Sequence, residues 1–150
     1  MRVQSFVRIG LAVASLSLVT SPLWAAAHFQ SASASKSGSN LTVSFRESGL
    51  GNGDVNIQAS ATVTQQQACI NGGDKNPSAA NKRSFTSTNS SNGTFTAKNG
   101  SVSGSLTLSP PSTGFSCPGG MRLVTLSVTY SDVRVTDTTN GVSTSISGTF

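Results

Sequence analysis

Apolar and polar residues alternate through most of this chain, and the longest such run lies between Cys117 and Thr136. Val124, Leu126, Val128 and Tyr130 alternate with polar neighbours, so a strand would place all four on one face. The phase then changes, because Val133 and Val135 are the apolar positions after Ser131-Asp132. A one-residue slip turns every side chain over, so a β-bulge or tight corner is expected at Ser131-Asp132. Leu41, Val43 and Phe45 begin an earlier run, which ends in the turn-forming residues Ser48 to Gly53. A second strand follows with Val55, Ile57, Ala59, Ala61 and Val63, and its phase carries through Gln65 and Gln67 to put Cys69 inward. Arg83 to Thr88 reads as a short strand offering only Phe85 to a core, closed by a turn at Ser90 to Gly93.

Two Asn-Gly pairs predict hairpins, since both central residues of a type I′ turn need positive φ. Folding on Asn99-Gly100 sets Ala97 opposite Val102, Phe95 opposite Gly104 and Gly93 opposite Leu106. Folding on Asn140-Gly141 sets Val135 opposite Ile146 and Val133 opposite Gly148, with Phe150 on the same face. Pro110-Pro111 ends the first hairpin and opens a crossing loop to Cys117. Seven to eight short strands with regular turn signals and no helical period predict an all-β, antiparallel β-sandwich of immunoglobulin-like type. A mature immunoglobulin domain packs a Trp on its bridge, whereas the one Trp here, Trp24, lies near the N-terminus.

That N-terminus changes the picture of where the protein works. Residues 1–27 have the layout of a secretory signal peptide: Arg2 and Arg8, an apolar stretch from Ile9 to Val19, and Ala25 to Ala27 as a cleavage site. The apolar stretch is shorter than the about 20 residues of a membrane span, so no membrane span is expected after signal removal. Residues 28–40, HFQSASASKSGSN, read as a flexible Ser-rich leader, and 41–150 as the β-sandwich domain. Export to an oxidising compartment predicts a disulfide between Cys69 and Cys117, the only two cysteines.

The formal charge is +5, and loss of Arg2 and Arg8 leaves 8 Lys+Arg against 5 Asp+Glu, or +3. Charged residues are 10% of the chain. Such a weak field argues against nucleic acid as a partner. Lys75, Lys82 and Arg83, with Arg122, form the one basic cluster and the candidate binding surface, suited to an acidic extracellular polymer or protein.

Catalytic chemistry has few residues to use. The single histidine, His28, lies in the leader, so a Ser-His-Asp or Cys-His arrangement is hard to build. Glu47 and Asp54 flank one loop, as the carboxylate pair of a carbohydrate-active enzyme or other small secreted hydrolase could, and Asp132 is a further candidate. Asp74 with Asn71 and Asn76 suggests calcium, but their spacing fits no EF-hand. Cleavage after Ala27 would expose His28 as an amino-terminal copper ligand, and cleavage after Ala25 would give Ala26-Ala27-His28, also a Cu(II) motif. No catalytic residue and no cofactor is otherwise expected.

CINGGDKNPSAANK (Cys69 to Lys82) and DTTNGVS (Asp137 to Ser143) resemble motifs of small secreted bacterial proteins of unknown function. The resemblance covers about residues 41–150. It implies export and a single bridged β-domain, and assigns no catalytic or binding residue. The functional expectation is a secreted, non-enzymatic module with a surface-binding or structural role.

Overall fold

Alternation becomes two antiparallel sheets in the computed structural model, which describes residues 26–73 and 81–150. The strands are β1 (His28–Ser37), β2 (Asn40–Ser48), β3 (Gly53–Ile70), β4 (Lys82–Ala97), β5 (Ser101–Leu108), β6 (Arg122–Asp137) and β7 (Val142–Ile146). One sheet has the order β1-β2-β5 and the other β4-β3-β6-β7. Their inner faces meet in one core: Leu41, Val43 and Phe45 from β2 and Val102, Leu106 and Leu108 from β5 face Val55 to Val63 of β3 and Val128 to Val135 of β6. The expected alternation of β2 and β3 is therefore the core itself.

The leader reading does not hold for residues 28–37, which form β1 and pair with β2 from His28↔Ser48 to Ser37↔Asn40. The inward residues are small, Ala32 and Ala34, with Phe29 beyond a bulge, and all three pack on the core. A two-residue connection with Gly38 at φ +58 closes the hairpin. Ser90 to Gly93 is likewise no turn, because β4 runs through it as one 16-residue strand paired along β3. The ladder satisfies the backbone there, and local turn propensity gives way to it.

Both hairpins form, with changed partners. Asn99 (φ +51) and Gly100 (φ +76) make the type I′ turn, closed by Lys98 and Ser101. Beyond that bridge β4 pairs with β3 and β5 pairs with β2, so the two arms enter different sheets. The expected alignment survives as packing between sheets. The Phe95 ring lies over Gly104, and Leu106 lies against Gly93. In the second hairpin Val133 pairs with Ile146 and Val135 with Thr144, two residues from the expected register. Residues 138–141 make a four-residue loop, since Asp137 pairs with Val142 and the Gly141 N–H donates to the Asp137 carbonyl at 2.9 Å. A shift of two keeps every side chain on its expected face. Phe150 lies beside Tyr130, exchanging backbone hydrogen bonds of 2.9 and 3.0 Å.

The bulge at Ser131-Asp132 is present: Ser60 pairs with Arg134 and Thr62 with Ser131, with Asp132 at φ +52. A second irregularity was not expected. Gln66 pairs with Ser127 and Gln67 with Thr125, so Leu126 is the extra residue. Val124 and Leu126 therefore do not share the face of Val128 and Tyr130, and Leu126 is 48% exposed.

β3, β4 and β6 are 18, 16 and 16 residues long, against 9 and 8 for β2 and β5, so one sheet overruns the other. The segment 109–121 covers the overrun. Gln65 Nε2 donates to the Pro111 carbonyl at 2.7 Å, and Thr113 Oγ1 donates to Gln67 Oε1 at 2.5 Å. Phe115 meets Phe85 with ring centroids 5.8 Å apart. The Cys69–Cys117 bridge, with Cα atoms 5.6 Å apart, fastens the far end of this strap.

Candidate functional site

Two ends of the sandwich compete for function. The disulfide end carries Lys82, Arg83 and Arg122, which pair in the ladder opposite Ala68, Gln67 and Ile70. Lys82 and Arg83 are exposed, and the Arg83 guanidinium stands 6.0 Å from the Phe115 ring centroid, so part of its contact is to the strap. Lys75, and the suggested calcium ligands Asp74 and Asn76, lie outside the described residues. The surface hollow at this end is about 240 Å³, between Gln66, Lys82, Arg83, Ser84 and Leu126.

The opposite end has the larger concavity, about 640 Å³ and open to solvent. The end of β2 supplies Arg46 and Ser48, the start of β1 supplies His28 and Gln30, and the loops Gly49 to Asn52 and Asn99 to Ser101 form the wall. Sequence makes this wall rigid. The Leu50 N–H donates to the Gly100 carbonyl at 3.0 Å, and the Asn99 N–H donates to Asn52 Oδ1 at 3.0 Å. Leu50 is buried beneath, which anchors the glycine-rich loop to the core. His28 is held in β1, with Nε2 3.2 Å from Ser48 Oγ and Nδ1 2.9 Å from the Ala26 carbonyl. Among the described residues no group of three or more acidic, histidine or cysteine side chains is placed to hold a metal ion, at His28 or elsewhere.

The candidate carboxylates are not assembled as a pair. Asp54 is exposed and accepts from Thr96 Oγ1 at 2.7 Å, beside a hollow of about 150 Å³ on the other side of the loop. Asp132 accepts from Ser131 Oγ at 3.1 Å in a separate groove with Arg134. Glu47 points inward and is fully buried, so it lines no concavity.

Glu47 meets a partner that sequence reasoning missed. Asp137, at the end of β6, is also fully buried. Its Oδ1 accepts the N–H groups of Thr139 (2.7 Å) and Asn140 (3.1 Å), and its Oδ2 accepts Asn140 Nδ2 (2.6 Å). Those donors hold the carboxylate in place and shape the β6–β7 loop. Neither Glu47 oxygen has a hydrogen-bond partner. Burial pushes the Glu47 pKa up to about 7, and Asp137 adds to this by its charge and by the capacity of two carboxyl groups to share a proton. In the geometry as it stands no such bond is made. The inward phase of Glu47, continuous with Leu41, Val43 and Phe45, was the available signal. Burial also raises the Tyr130 phenol, whose hydroxyl is 2.7 Å from the Ser39 carbonyl and 3.1 Å from that of Leu108.

Comparison of the chain with protein families, with curated proteins and with solved structures finds no match. The described residues define an all-β class with two antiparallel sheets, seven strands and one disulfide. Among the described residues no helix is long and apolar enough to cross a membrane.

Proposed function

We propose that this chain is an exported, non-catalytic binding module of immunoglobulin-like type, and that it binds through the concavity at the β1–β2–β5 end. The strand order supports the type. Matching β1, β2 and β5 to the A, B and E strands, and β3, β6 and β7 to C, F and G, reproduces both sets of neighbours, while β4 joins the second sheet. The bridge differs from the usual inter-sheet bridge, because it joins the end of β3 to Cys117 in the strap before β6, which belongs to neither sheet. Export rests on the signal-like N-terminus and the formed disulfide, and the likeness to small secreted bacterial proteins belongs to the same reading.

One observation carries the function. The concavity at the β1–β2–β5 end is lined by His28, Gln30, Arg46, Ser48, Leu50 and the two glycine- and asparagine-bearing loops, and not by a carboxylate. Glu47, Asp54 and Asp132 face three different surroundings, so paired acid–base chemistry has no common space. The test is a screen of immobilised extracellular polysaccharides and proteins with the domain and with Gly51→Trp. An added Cβ at Gly51 meets nothing within 4 Å, so this variant blocks the concavity while sparing the fold. Binding lost in Gly51→Trp, with the ligand recovered unchanged, is the expected result. Cleavage of the ligand, or binding indifferent to Gly51→Trp, would overturn the reading.

A further inference from the structure

We infer that the β1–β2–β5 concavity recognises the carboxylate of an acidic sugar, with Arg46 as its anchor. This rests on the binding reading above and names its ligand class. Arg46 projects from the outer face of β2 and is exposed. It has no ion pair, hydrogen bond or ring contact with any described residue, and the carboxylate beside it in sequence, Glu47, faces the core. An arginine fork pairs two parallel N–H groups with a carboxylate, and here both remain available.

The surroundings fit a sugar better than a peptide terminus. Gln30, Ser48, Asn52, Asn99 and Ser101 place amide and hydroxyl groups around the rim, where sugar hydroxyls would be met. Asn52 already spends one amide-oxygen bond on the Asn99 N–H, which leaves its amide N–H groups to the concavity. The hollow is open and holds no closed apolar socket of the kind a terminal peptide side chain requires. Lys98, exposed on the adjoining turn, adds positive potential, and no carboxylate lines the concavity itself.

The experiment is calorimetric titration of the domain with oligogalacturonate, with a neutral oligosaccharide of equal length, and with a short peptide ending in a free carboxylate. Wild-type, Arg46→Gln, Arg46→Lys and Gly51→Trp proteins are compared, each first shown to melt as wild type does. Oligogalacturonate should bind wild type and weaken roughly tenfold to a hundredfold in Arg46→Gln, as loss of a charge-assisted contact does. Arg46→Lys should recover part of that loss, and added salt should weaken wild type most. Equal binding of the neutral oligosaccharide, or Arg46→Gln binding as wild type, overturns the inference. If Gly51→Trp alone abolishes binding, the concavity stands and its carboxylate preference falls. If neither variant matters, both fall. Tighter binding of the peptide assigns the fork to a chain terminus and overturns the sugar.

Discussion

A methyl group at Gly104 would lie 2.4 Å from Cε1 of Phe95 and 3.0 Å from Cζ of Phe45. Those two rings already meet edge to face with centroids 5.0 Å apart, so neither can retreat without disturbing the other. Gly104→Ala should therefore lower stability by about 1–3 kcal/mol in a urea titration, the usual cost of overpacking. Glu47 sets a different kind of limit. Its pKa in the folded chain, raised from 4.5 to about 7, means that folding favours the protonated form. The Glu47 contribution to stability is then greatest below about pH 4.5, falls as pH rises to about 7, and levels off above it. A shift of that size corresponds to about 3 kcal/mol at most, and water reaching the loop end would reduce it to about 1–3 kcal/mol. Glu47→Gln should flatten this part of the pH profile and be the more stable protein at pH 8. An unchanged slope in that variant would mean that another group carries it.

At the scale of elements, the strap 109–121 replaces a missing part of the β1–β2–β5 sheet. The bridge spans a sequence separation of 48, and a loop of that size constrains the unfolded chain by about 4 kcal/mol. A Cys69→Ala, Cys117→Ala double variant should lose stability of that order. Hydrogen exchange should rise first in 109–121, where the Gln65, Gln67 and Asn89 side-chain hydrogen bonds and the Phe85–Phe115 contact would be the remaining ties. Much of this was legible in the sequence. The inward phase of Gln65, Gln67 and Cys69 followed from Val55 to Val63, and the bulge at Ser131-Asp132 followed from the change of phase. β1 was not legible by the same rule, because its inward residues include Ala32 and Ala34, whose burial signal is weak beside so many serines. Asn99-Gly100 announced a turn, but no local feature says whether its two arms remain in one sheet. The four-residue loop after Asp137 was hidden for a related reason: its geometry depends on the Asp137 carboxylate, while Asn-Gly alone suggests a two-residue turn.

For the whole molecule, the account is that stability and recognition sit at opposite ends. The bridge, the strap and the exposed Lys82 and Arg83 occupy one end; the Arg46 concavity, backed by the buried Glu47 and Asp137, occupies the other. Of the basic cluster singled out in the sequence, Lys82, Arg83 and Arg122 belong to the first end, and of the residues that line the larger concavity only His28 stood out as a candidate for chemistry. The most direct test is an NMR titration of the isotopically labelled domain with whichever extracellular polymer it retains. Amide shifts should move in His28 and Gln30, in Arg46 to Asn52 and in Asn99 to Ser101, with Lys82, Arg83 and Arg122 unmoved. Shifts confined to the disulfide end would contradict the account and return the binding surface to the basic cluster.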